Sequence, residues 1–121
     1  MARYVDGFVI PVPRKNVEAY RRLSQKAGKV WKEYGALEYI ECVGDDLKIK
    51  GTVSFTSRVR TRPDETVIFS WIVYKSRAHR DRVNAKVVKD PRLAALMTDR
   101  NAMPFDVKRM TYGGFKVIVD L

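Results

Sequence analysis

Twice along this chain, apolar residues spaced for a strand give way to apolar residues spaced for a helix. That alternation limits the fold more than any other feature. Tyr4 to Ile10 is rich in aromatic and β-branched residues and halts at Pro11-Val12-Pro13, which predicts a strand and a breaker. From Lys15 the spacing lengthens. Val17, Tyr20, Leu23, Ala27, Val30, Trp31 and Tyr34 recur at three and four, one face of an α-helix with charge opposite. Gly35 suits the left-handed residue that closes such a helix. Gly28 sits inside it, costing up to about 1 kcal/mol relative to Ala, and points to close packing on a sheet.

Ala36 to Val43 reads as a second strand, closed by Gly44-Asp45-Asp46. In residues 47–62 the odd positions Ile49, Val53, Phe55 and Val59 are apolar and the even ones polar, which favours an extended segment. Phe55 and Val59 also fit one helical turn. Thr66 to Tyr74 (TVIFSWIVY) is the strongest strand. Ser76 is an N-cap for a helix carrying Val83, Val87 and Val88 and ended by Pro91. Leu93, Leu96 and Met97 suggest a further short helix, Asn101 to Asp106 a loop, and Arg109 to Leu121 a last strand containing Gly113-Gly114.

The order is β-α-β-β-α-β in 121 residues, the length of one domain spanning residues 1–121. With right-handed crossovers this is an α+β fold, the ferredoxin-like sandwich: a four-stranded antiparallel sheet with helices on one face. Strand alternation then separates two sets of side chains. One holds Val5, Val9, Ile40, Cys42, Phe69, Trp71 and Phe115, and is assigned to the helices. The other mixes Phe8, Ile10, Leu37, Ile72 and Ile118 with Asp6, Tyr39, Glu41, Ser70, Tyr112 and Lys116, and is assigned to the open face. Apolar residues on an open face imply a covering surface, and polar ones among them a wet cavity. A homodimer whose open sheet faces pack into a barrel around a small pocket satisfies both.

The candidate site follows from that assignment. Glu41 is the candidate catalytic acid or base, because a carboxylate in a partly apolar cavity has its pKa raised. Asp6, Tyr39, Tyr112 and Lys116 are the candidate ligand-binding residues around it. His79, the one histidine, falls in the first turn of the second long helix and is placed at the cavity mouth as a second candidate catalytic group. Cys42, the one cysteine, is assigned to the helix side, away from His79, which argues against a nucleophilic dyad. One His and one Cys predict no zinc or iron site, and no glycine-rich phosphate loop is present, so no metal or cofactor is expected.

Net charge is +10, spread equally over the two halves of the chain. The lopsided stretch is Lys48, Lys50, Arg58, Arg60 and Arg62, without an acid or interleaved cationic-aromatic pattern. A solvated edge fits it better than a nucleic-acid contact, so nucleic acid is not an expected partner. The N-terminus lacks the pattern of a secretory signal, and no apolar run approaches the roughly 20 residues of a membrane helix. A cytoplasmic protein without a membrane partner is the expectation.

The runs YVDGFV (4–9), AGKVWKEYGALEYIECVGDD (27–46), FSWIVYKSRAHRDRVNAKV (69–87), MPFD (103–106) and YGGFKVIVDL (112–121) resemble the YbaA-like family, domain of unknown function 1428. The resemblance covers nearly the whole chain and is thinnest over Leu47 to Arg62. It implies a dimeric α/β barrel, ferredoxin-like in each subunit, and no defined activity. Three readings of function remain: a homodimer that binds, and in one form transforms, a small organic molecule; a non-catalytic interaction or stress-related module; and a weak, charge-driven nucleic-acid binder.

Overall fold

A computed structural model describes residues 2–98 and 103–121. Strands β1 (Tyr4–Pro13), β2 (Glu38–Val43), β3 (Glu65–Tyr74) and β4 (Thr111–Lys116) form one antiparallel sheet in the order β2-β3-β1-β4. Helix α1 (Val17–Glu33) joins β1 to β2, and α3 (Arg77–Val87) with α4 (Pro91–Leu96) leads from β3 towards β4. A single turn, α2 (Phe55–Arg58), interrupts the β2–β3 connection. This is the ferredoxin-like sandwich.

Local chemistry sets the boundaries. Gly35 has φ of +113° and ends α1 as expected. The Ser76 hydroxyl accepts the His79 N–H at 3.1 Å and caps α3, and Asp90 accepts the Arg92 N–H at 2.8 Å to cap α4. Three expectations fail for identifiable reasons. β1 runs through both prolines rather than stopping at Pro11. Its pairing with β4 ends at Val9↔Thr111, while its pairing with β3 continues to Pro13↔Glu65. The odd residues of β1 turn their backbone groups towards β4, as Arg3 does in accepting the Val117 N–H at 3.1 Å. Pro11 and Pro13 therefore lack N–H groups only where no strand is there to receive them. β4 ends at Lys116 rather than Leu121, because β1 begins at Tyr4 and offers no partner beyond Arg3. Residues 47–62 are not an extended strand. Ser54 caps the turn of α2, and Phe55 reaches Phe69 with ring centroids 6.0 Å apart.

The helices pack on the face opposite to the one expected. Tyr20 of α1 reaches Glu41, Arg80 of α3 reaches Asp6, and a Cβ on Gly28 would lie 2.6 Å from the Tyr39 ring. Phe8, Ile10, Ile68, Ile72 and Tyr74 pack with Tyr20, Val30, Val83 and Val87 in two adjoining clusters that form the core. Each such apolar side chain contributes about 1.5–3 kcal/mol on burial. Val88, assigned to the same helical stripe, is exposed instead. The polar members of this sheet face suggested water, but Glu41 meets Tyr20 on α1, and Asp6 and Tyr112 meet Arg80 on α3, so polarity there does not signal exposure. Correspondingly Cys42, Phe69, Trp71 and Phe115 lie on the face away from α1 and α3, where Phe69 remains 44% and Phe115 62% exposed. Pro11 and Val67 of this face are buried, and Phe55 of the 47–62 segment lies against Phe69.

Candidate functional site

Glu41 leaves β2 towards α1 and meets two phenols. Tyr20 Oη donates to Oε1 at 2.8 Å and Tyr39 Oη donates to Oε2 at 3.0 Å. Tyr20 stands on the buried stripe of α1, and Gly28 two turns further along gives the Tyr39 ring the room to lie under that helix. Burial pushes the Glu41 carboxyl up from its ordinary range, and the hydrogen bonds from Tyr20, Tyr39 and Ser70 offset part of that rise. Burial beside the carboxylate pushes both phenols up as well, so both stay protonated and donate.

The carboxylate opens on a cavity of about 170 Å³ between the sheet and α1. Its walls are almost wholly apolar, with Phe8, Trp31, Ile72, Leu93 and Phe105 among them, and Glu41, Ser24 and Ser70 supply the polar atoms beside the two phenols. A cavity of about 150 Å³ holds a benzene-sized guest. This one is of that size.

Of the residues expected at the site, the structure brings Tyr39 to Glu41 and sends the others elsewhere. The cavity lies inside one subunit, between sheet and helices, and not between the sheets of two copies as expected. Asp6, 1% exposed, accepts from Arg80 Nη1 at 2.7 Å and from Asn84 Nδ2 at 3.4 Å. Arg80 Nη1 also donates to Tyr112 Oη at 3.1 Å, and Asn84 Oδ1 accepts from Trp31 Nε1 and Tyr74 Oη at 3.0 and 3.1 Å. This network pins α3 to β1, β3 and β4. It touches the cavity only through Trp31 and through Phe8, which stacks on Tyr112 at 4.8 Å. Lys116 is exposed at the end of β4, paired in register with Tyr4, and makes no ion pair with Glu41 or Asp6.

His79 does not stand at the cavity mouth. Its Nδ1 accepts the Lys75 N–H at 2.9 Å, which ties the start of α3 to the end of β3 and requires a neutral ring with its proton on Nε2. Burial, then the nearby Lys75 and Arg82, hold its pKa below the ordinary value. Cys42, on the opposite sheet face, is out of its reach. Among the described residues no three His, Cys, Asp or Glu side chains come together as metal ligands would.

Sequence reasoning missed Tyr20 as a member of the site. A tyrosine on an otherwise apolar helical stripe needs a partner for its hydroxyl when buried, and that requirement was the available signal.

A model of the family described as "Protein of unknown function (DUF1428)" matches residues 3–107. The Escherichia coli K12 "Uncharacterized protein YbaA" is 43% identical over 118 residues, 98% of each chain. The chain belongs to the DUF1428 family. Beyond the family, the fold is shared by a solved "dimeric ferredoxin-like protein" from an uncultured marine organism, with TM-score 0.63, 15% identity and full coverage of both chains. It is shared too by a "nipsnap family protein with unknown function" from Agrobacterium tumefaciens, with TM-score 0.58, 13% identity, and 96% and 88% of the two chains covered. In this DUF1428 protein no helix of the described residues is long and apolar enough to cross a membrane.

Proposed function

We propose that this protein is a cytoplasmic homodimer that binds a small organic molecule in the cavity beneath α1 of each subunit, with Glu41 as the group that holds or takes a proton. One observation carries the reading: a carboxylate held by two phenols faces an apolar cavity with room for one ring. A structural carboxylate gains nothing from an adjacent void, whereas a site needs both the polar anchor and the space. Tyr20 and Tyr39 fix the carboxylate in place, and burial keeps its basicity above that of a surface glutamate. The dimer reading rests on the exposed aromatic face around Phe69 and Phe115 and on the similar solved structure described as dimeric.

Native mass spectrometry of the freshly purified protein, followed by a thermal-shift screen of single-ring compounds, tests the site. A retained or stabilising ligand is expected, with its affinity lowered at least tenfold in Glu41→Gln at little change in the melting temperature of the unliganded protein. A Glu41→Gln protein that melts higher and binds every compound as well as the wild type would make Glu41 a buried polar residue without a site.

A further inference from the structure

We propose that the ligand of the Glu41 cavity is a compact organic cation, a primary or substituted ammonium on a single ring. The inference rests on the reading of this cavity as a ligand site. It comes from how the chain treats its acids. Buried Asp6 is paired with Arg80 at 2.7 Å, buried Glu65 with Arg109 at 2.6 Å, and buried Asp90 with Arg92 at 3.0 Å. The chain has 24 lysines and arginines for 14 acids, so cations are abundant. Yet among the described residues none forms an ion pair with Glu41. Its two oxygens meet phenols at 2.8 and 3.0 Å where the other buried acids meet a guanidinium.

A partly buried carboxylate without a counter-charge is costly, and a cation arriving with the ligand removes that cost. The walls suit the same guest. Trp31 and Tyr39 lie with ring centroids 6.0 Å apart, and Tyr20 and Phe105 meet edge to face at 5.4 Å, so four aromatic rings border the space into which Glu41 points. Aromatic rings attract an organic cation while still accepting its hydrocarbon part, and a desolvated cation gains most. An anionic guest would meet Glu41 as a like charge. A neutral guest of the same shape would leave the carboxylate uncompensated.

The test is a matched series titrated calorimetrically at fixed pH and ionic strength: benzylammonium, benzyl alcohol and benzoate. Wild-type protein is expected to bind benzylammonium at least tenfold more tightly than benzyl alcohol and to reject benzoate. In Glu41→Gln the preference should collapse, with benzyl alcohol affinity held within about twofold. Binding of benzyl alcohol equal to or tighter than benzylammonium, or a preference that survives in Glu41→Gln, overturns the cationic ligand and leaves the cavity as a site for neutral molecules. No heat from any of the three overturns the cavity reading with it. The wild-type series decides by itself should the variant fail to fold.

Discussion

His79 shows how a single side chain can be conspicuous in sequence and modest in structure. As the chain's one histidine it invites a catalytic role, but its Nδ1 is spent on the Lys75 N–H. That use has a pH signature. The folded pKa is lowered below the unfolded value of about 6.5. The stabilisation is therefore whole above that value and is lost as pH falls through the folded pKa. Melting temperatures followed from pH 8 to pH 5 should fall more steeply for the wild type than for His79→Gln, whose amide oxygen can accept the same N–H. Parallel curves would mean that His79 titrates freely and anchors nothing. Asp6 carries a related lesson. Sequence alternation placed it correctly beside Tyr112 and among apolar residues. It could not reveal that Arg80, more than seventy residues away, completes it.

At the scale of elements, the contact of α1 with β2 determines the shape of the cavity. Gly28 is the point of closest approach, as its place within a helical stripe suggested. Alanine there would gain about 1 kcal/mol in helix propensity, but its Cβ would stand 2.6 Å from the Tyr39 ring. The obstructing atoms are in the ring's near edge rather than at the end of a flexible chain, so helix and strand must separate. Gly28→Ala is expected to lose about 1–3 kcal/mol net, as overpacked cores do, measured by urea unfolding with an unchanged slope. A stabilised variant would show that α1 is free to shift on the sheet. Helices α1 and α3 and all four strands were legible from spacing and caps. What was not legible lay where a neighbour decides: whether β4 reaches far enough to need the N–H that Pro11 lacks, or where β1 begins and so where β4 must stop.

For the whole molecule, the distinction between the two sheet faces matters most. Alternation sorted the side chains into the right two sets but could not say which set the helices cover. The more apolar set looked like core, yet α1 and α3 cover the mixed set, whose Glu41, Asp6 and Tyr112 are satisfied by Tyr20, Arg80 and Asn84. Two charge insertions separate the roles. Ile72→Glu places a charge in the core between Val30 and Val83 and should abolish cooperative folding. Phe69→Glu alters an exposed ring and should leave the fold intact while turning a dimer into a monomer in sedimentation at micromolar concentration. A monomeric wild type, or a dimeric Phe69→Glu, would remove the sheet face as the interface. The strand order also has a consequence for the making of the chain. β1 precedes the other strands in the chain, yet it lies between β3 and β4, which follow it by more than fifty and more than a hundred residues. While β2 and β3 can pair as neighbours, β1 must wait beside them with one flank open until Thr111–Lys116 has been synthesised. Completion of the sheet, and with it the stacking of Tyr112 on Phe8 at the cavity wall, thus waits for the strand farthest along the chain from β1.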